Sequence, residues 1–198
     1  MRAGCSLVIL AGGLSRRMGR DKASLPAADG TLIEHLARRL APVVDETIVA
    51  GGSGLPTLPG VRMVDDLYPG LGPLAGIQAG MRAARSTRVW VVACDLPDVD
   101  PALASLLLGL AGDVDAVVPR IDSEPQGVCA VYDRALAPRI DGLLAAGERR
   151  VKMLLAASNV RYVTTDELRV VDPELRSFRN INTPADYQAW LTTQPASR

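Results

Sequence analysis

Apolar residues along this chain come in short blocks, and the spacing within the blocks switches between that of a strand and that of a helix. Leu7, Val8, Ile9 and Leu10 are consecutive, the pattern of a strand buried on both faces. Gly12 and Gly13 end the run and let the backbone turn sharply and approach a ligand. Residues 31–40 (TLIEHLARRL) carry apolar positions at helical spacing, with Thr31 as N-cap and Pro42 as the stop. Residues 46–50 (ETIVA) and 61–64 read as strands, the second ending at Asp65-Asp66. The cluster GLGPLAG opens a helix that runs to about Arg85, and 89–93 (VWVVA) is a strand. Residues 101–110 read as a helix with Asp100 as N-cap and Pro101 in its first turn. Strands follow at 116–118 and 128–132, joined by a link with no helix pattern.

Strands that alternate with helices predict an α/β fold: a Rossmann-like three-layer domain whose mostly parallel sheet has helices on both faces. The helix-free link before Val128 leaves room for a late antiparallel strand. One domain over residues 1–192 suits a chain of 198 residues. A loose tail is expected over 193–198.

Hydrophobic residues make up 48% and charged residues 22%, as in a soluble globular protein. Lys plus Arg and Asp plus Glu are both 22, which argues against a nonspecific nucleic-acid binder or a polybasic membrane binder. Any phosphate recognition must rest on local charge. Cys5, Cys94 and Cys129 are widely spaced, without a C-x-x-C pair, and there is one histidine. A zinc site is not expected, and reduced thiols in the cytoplasm are. Arg2 precedes an apolar run that stops at Ala11, too short for a signal peptide. Nothing approaches the ~20 apolar residues of a membrane span.

The chemistry gathers first in SLVILAGGLSRRMGRDK, residues 6–22. A strand runs into a glycine loop bearing Arg16, Arg17 and Lys22. Backbone N–H groups plus that charge suit a phosphate chain. The loop is not a P-loop, since Arg20 and Asp21 follow Gly19, and it lacks the G-x-G-x-x-G fingerprint. In open α/β sheets ligands sit at the carboxyl ends of strands. Asp95, in CDLP after the VWVVA strand, is therefore a candidate ligand for Mg2+. A turn aspartate bonding its own backbone before Pro97 is the competing reading. Asn180 and Asn182, in FRNINTPAD, offer donors and acceptors, and also suit a turn before a final helix capped by Thr183. His35 sits within a helix without partner ligands, which favours a structural role.

LAGG-x-SRRMG-x-DKA, residues 10–23, resembles the signature of the molybdenum cofactor guanylyltransferase family, within the Rossmann-like nucleotidyltransferases. The resemblance implies transfer of GMP from GTP to the terminal phosphate of molybdopterin, with release of pyrophosphate and Mg2+ as cofactor. It implies that the Leu10, Ala11, Gly12 and Gly13 backbone binds nucleotide together with Lys22, Asp66 and Asp95. Arg17, Lys22 and Asp95 would be catalytic, with Asp95 on the metal. Arg149, in the family-like GERRV string, Asn180 and Asn182 would face the pterin, while Arg150 reads better as a surface residue. Partners would be GTP and molybdopterin, with transient contact to cofactor-biosynthesis or molybdoenzyme-maturation proteins, and neither nucleic acid nor membrane.

Two departures from the family pattern stand out. Ala50, then Gly51 and Gly52, replace a base-reading asparagine, and Glu124-Pro125-Gln126 stands where a histidine sometimes occurs. A cytidylyltransferase for the same cofactor is the runner-up; its signature usually has Ala at Gly12. A sugar-nucleotide transferase would need a longer chain. A non-catalytic nucleotide-binding protein is disfavoured by the joint presence of Arg17, Lys22 and Asp95.

Overall fold

The first strand, β1 (Cys5–Leu10), is buried at all six positions. It lies inside the sheet, paired in parallel with β4 (Glu46–Ala50) and β6 (Arg88–Ala93), so that Leu7 stands opposite both Thr47 and Trp90. A strand covered on both faces has no polar side to show, which is why its sequence does not alternate. The computed structural model describes residues 4–12, 22–28, 30–52, 54–66, 68 and 70–194.

Between β1 and β4 lie a small ribbon, β2 (Pro26–Ala27) with β3 (Gly30–Thr31), and helix α1 (Leu32–Leu40). Thr31 caps α1 in a full capping box with Glu34, satisfying N–H groups that the first turn leaves unpaired. The helix then tightens into a 3-10 turn at Ala41–Val43, which contains Pro42. After β4 come β5 (Val61–Val64) and α2 (Pro73–Ala83), which ends two residues before the expected Arg85. Then follow β6, α3 (Pro101–Gly109), β7 (Ala116–Ile121), β8 (Glu124–Pro125) and β9 (Cys129–Asp133). The chain closes with α4 (Ala137–Ala145), α5 (Val151–Ala156), β10 (Val160–Val163), α6 (Thr165–Arg169) and α7 (Pro184–Thr193).

The main sheet has eight strands, in the order β10-β7-β9-β6-β1-β4-β5, with β8 paired to β7. The chain leaves β1 towards β4 and β5 on one side, then crosses back through α2 to β6 on the other. Beyond β1 and β6 the connections diverge, and that opens a crevice at their carboxyl ends. The late antiparallel strand is β9, which runs against both β6 and β7. Its helix-free approach is the β7–β8 hairpin, turned at Asp122 and Ser123 with φ of 48° and 71°. Positive φ at both central residues matches hairpin twist, and so tight a link can only reverse the chain.

Alternate residues of β1 feed two cores. Leu7 and Ile9 pack with Leu36 of α1, Leu107 of α3 and Leu168 of α6. Val8 and Leu10 pack with Ile77 of α2, Ile140 of α4 and Leu154 of α5. The three-layer α/β reading therefore holds. Leu25, Leu32, Ile181, Tyr187 and Trp190 form a third cluster that seats α7 beside the small ribbon and α1.

The α2 helix lies close on β1. A Cβ on Gly80 would meet Val8 Cγ1 at 2.3 Å and Cγ2 at 2.7 Å, and a buried β-branched valine cannot swing aside. Gly80→Ala should therefore destabilise the fold by about 1–3 kcal/mol through overpacking, despite the ~1 kcal/mol by which alanine favours a helix. A urea midpoint that falls is the expected result; one that rises would show that α2 can move off the sheet.

Candidate active site

The crevice between β1 and β6 holds a cavity of about 310 Å3. Leu10, Ala11 and Gly12 line it from the end of β1, and Ala93, Cys94 and Asp95 from the end of β6. The β1 turn is stitched to both neighbours. The Ala11 N–H donates to the Ala50 carbonyl at 2.9 Å, and the Cys94 N–H to the Leu10 carbonyl at 3.1 Å. A Cβ on Gly51 (φ +81°) would come within 2.9 Å of Gly12 N and Cα. The β1 and β4 turns thus touch through backbone alone, and glycine at 51 is required by both space and conformation.

Lys22, at the start of a short 3-10 turn (Lys22–Ser24), enters the cavity from beside the first glycine turn. Its Nζ donates to Asp95 Oδ2 at 3.1 Å and to Asn182 Oδ1 at 3.0 Å. The lysine and aspartate side chains are only 17% and 25% exposed, so this ion pair is less screened than a surface pair. The Ile181 N–H donates to the Asp95 carbonyl at 2.8 Å. That bond ties the segment before α7 to the end of β6 and leaves Asn180 facing the cavity. Pro73 brings the N-terminus of α2 to the same wall, after Gly72 at φ +80°. A helix start presents unpaired N–H groups and partial positive charge.

The structure thus brings together Leu10, Ala11, Gly12, Lys22, Asp95, Asn180 and Asn182. Asp66 follows β5, two strands out from β1, and its carboxylate accepts from the Tyr68 N–H at 2.8 Å. Gly13, Arg16 and Arg17 lie outside the described residues. The Arg149 carbonyl lies near the entry to α2, 3.7 Å from where a Cβ on Gly72 would be, and the residue is exposed. Arg150 is folded onto Glu148, whose carboxylate accepts from its Nε at 2.9 Å and its Nη2 at 2.6 Å. Both arginine N–H groups of that turn donate to the same carboxylate.

His35 fits its structural role. Its Nε2 is 3.2 Å from the Pro97 carbonyl and its ring meets Trp190 edge-on. Burial, the largest cause, lowers its pKa. The three cysteines form no disulfide and are buried, and burial pushes the Cys5 and Cys129 thiols up to about 12. Among the described residues no group of three His, Cys, Asp or Glu side chains could cage a metal. A single carboxylate does fit Mg2+, which takes its other oxygens from phosphates and water.

The sequence reading missed that Lys22 and Asn182 touch. They are 160 positions apart, and no local pattern links them. Val128, just ahead of β9, lines the cavity with no sequence signal of its own.

The family model of the MobA-like NTP transferase domain matches residues 7–163. The chain belongs to this family of nucleotidyltransferases. Among its MobA-like relatives, a probable molybdenum cofactor guanylyltransferase of Mycobacterium tuberculosis is 43% identical over 192 residues, covering 92% of this chain and 90% of its own. One from Pelotomaculum thermopropionicum is 38% identical, covering 90% and 88%. The solved molybdopterin-guanine dinucleotide biosynthesis protein A of Archaeoglobus fulgidus superposes with a TM-score of 0.79 at 29% identity, covering 93% and 95%.

The turn before α5 makes a pH prediction. Hydrogen bonds from the Arg150 side chain, then from the Arg150 and Arg149 N–H groups, pull the Glu148 carboxyl to about 2, against an ordinary 4.5. A depressed carboxylate pKa contributes stability above the unfolded value, lost as pH falls through the folded one. At pH 3, NMR of the side-chain carboxyl carbon should still show Glu148 mostly ionised. A midpoint near 4.5 would mean that Arg150 is free of it.

Proposed function

We propose that this nucleotidyltransferase moves GMP from GTP to the terminal phosphate of molybdopterin, forming molybdopterin guanine dinucleotide and pyrophosphate. The observation that carries this is the half-buried Lys22–Asp95 pair at the mouth of β1 and β6, in a chain whose relatives bear that activity in their names.

The chemistry is a displacement at the α-phosphorus. A terminal phosphate oxygen of the pterin forms the new P–O bond. The bond from the α-phosphorus to the oxygen bridging to the β-phosphorus breaks, and pyrophosphate leaves with that electron pair. The nucleophile is already anionic, so no strong general base is needed. Positioning and charge neutralisation supply most of the acceleration. Asp95 would hold Mg2+, which neutralises phosphate charge when bound. Lys22 and Arg17 would offset the charge that builds on pyrophosphate. The backbone of Leu10, Ala11, Gly12 and Gly13, with Asp66 further out, would hold the nucleotide. Arg149 and Asn180 would face the pterin, with Asn182 beside them.

No helix is long and apolar enough to cross a membrane, among the described residues. Three buried cysteines without a disulfide suit a reducing compartment, and we place the reaction in the cytoplasm.

Base choice is where a second reading enters. Gly51 packs against Gly12 by backbone alone, so no side chain at 51 can read a base, and backbone groups there would take its place. Incubation with molybdopterin and each of the four nucleoside triphosphates, with product mass read out, should give product with GTP. Product with CTP alone would make the chain a cytidylyltransferase, and nucleotide binding without product would make it a non-catalytic binder.

Asp95→Asn keeps the shape and removes the charge for the metal. Turnover should fall by orders of magnitude while the fold survives; wild-type turnover at saturating magnesium would sink the assignment. Lys22→Ala should raise the barrier by about 2.7–4 kcal/mol, the usual loss for one such donor. The drop should appear in kcat; a change in KM alone would make Lys22 a ground-state binding residue.

A further inference from the structure

Lys22 is held between partners of different charge, the Asp95 carboxylate and the neutral Asn182 carboxamide. The second partner comes from the far end of the chain, and its backbone is fixed there. Asp186 Oδ2 accepts from the Asn182 N–H at 3.0 Å and from the Thr183 N–H at 2.8 Å, and the Asp186 N–H donates back to Thr183 Oγ1 at 3.1 Å. Two more bonds tie α7 to both halves of the ion pair. Trp190 Nε1 donates to Asp98 Oδ1 at 2.9 Å, in the loop of Asp95, and the Tyr187 hydroxyl donates to the Pro26 carbonyl at 2.5 Å, just past Lys22.

We propose that Asn182 is a positioning residue for Lys22 in the nucleotide half of the site, an inference that rests on nucleotidyl transfer at this cavity. A lysine carries a compact charge on a flexible four-carbon stem. A lone carboxylate lets that ammonium swing about it. A second acceptor fixes the direction in which the remaining N–H bonds point. A neutral carboxamide does so without another negative charge where phosphates must dock. A carboxylate at 182 would trap the ammonium and repel the triphosphate. The contact also crosses the division the sequence suggests, in which the asparagines serve only the pterin.

The test is a double-mutant cycle on nucleotide binding alone. GTP with Mg2+ is titrated into the full chain, without molybdopterin, for wild type, Lys22→Ala, Asn182→Ala, Asn182→Asp and the Lys22→Ala/Asn182→Ala double variant. Asn182 is exposed, so its replacement leaves the core intact, which an unchanged urea midpoint verifies. Asn182→Ala should weaken GTP roughly tenfold, the scale of one hydrogen bond to a charged group, and Asn182→Asp should weaken it further. In the Lys22→Ala background Asn182→Ala should change affinity by less than about twofold, because coupled residues are not additive. Wild-type affinity in Asn182→Ala, or the same loss with Lys22 already removed, would overturn the inference. A wild-type chain that bound no GTP would instead bring down the proposed function, and this inference with it.

Discussion

The ammonium group of Lys22 meets a carboxylate 73 positions away and a carboxamide 160 positions away. That meeting depends on the topology of the sheet. It requires β1 and β6 to be neighbours with their carboxyl ends level, although four strands and two helices are threaded between them. It also requires α7 to come back against α1 and the small ribbon, which the Leu32, Ile181 and Trp190 cluster achieves. The chain has no net charge, so recognition of an anionic ligand falls to local charge such as that of Lys22, held in a half-buried place. There its field is less screened than at the surface.

Close packing sets the dimensions of that place. Gly80 lets α2 lie on Val8, and Gly51 lets the β4 turn rest on Gly12. The backbone bonds from Ala11 to Ala50 and from Cys94 to Leu10 keep the strand ends level. Side chains are absent where two backbones must approach, as at Gly51 against Gly12. The turn after β4 likewise carries no side chain at Gly51 or Gly52.

Much of the architecture could be read from the sequence. The strands over Glu46–Ala50 and Val61–Val64 have the bounds that their apolar runs suggest. Thr31, Asp100 and Thr183 all cap helices as their side chains predict. Harder to read was the stretch after β9, where α5, β10 and α6 have six, four and five residues. Elements that short do not fill the window over which periodicity can be judged. The site divides along the same line. Lys22, Asp95 and the β1 turn carry local signals, a glycine loop and an acid at a strand end. The partnership of Lys22 with Asn182 is purely tertiary. Asp66 also carries a local signal, its place after a strand, and only the pairing order shows that β5 stands two strands out from β1.

On the function proposed above, the reacting phosphates dock at the Lys22–Asp95 junction. A crystal structure with Mg2+ and a GTP analogue carrying a methylene between the α- and β-phosphorus tests it most directly. The triphosphate should lie along the β1 turn, with Mg2+ on the Asp95 carboxylate and Lys22 Nζ within hydrogen-bond distance of a phosphate oxygen. A triphosphate bound elsewhere, with the Lys22–Asp95 pair untouched, would contradict it.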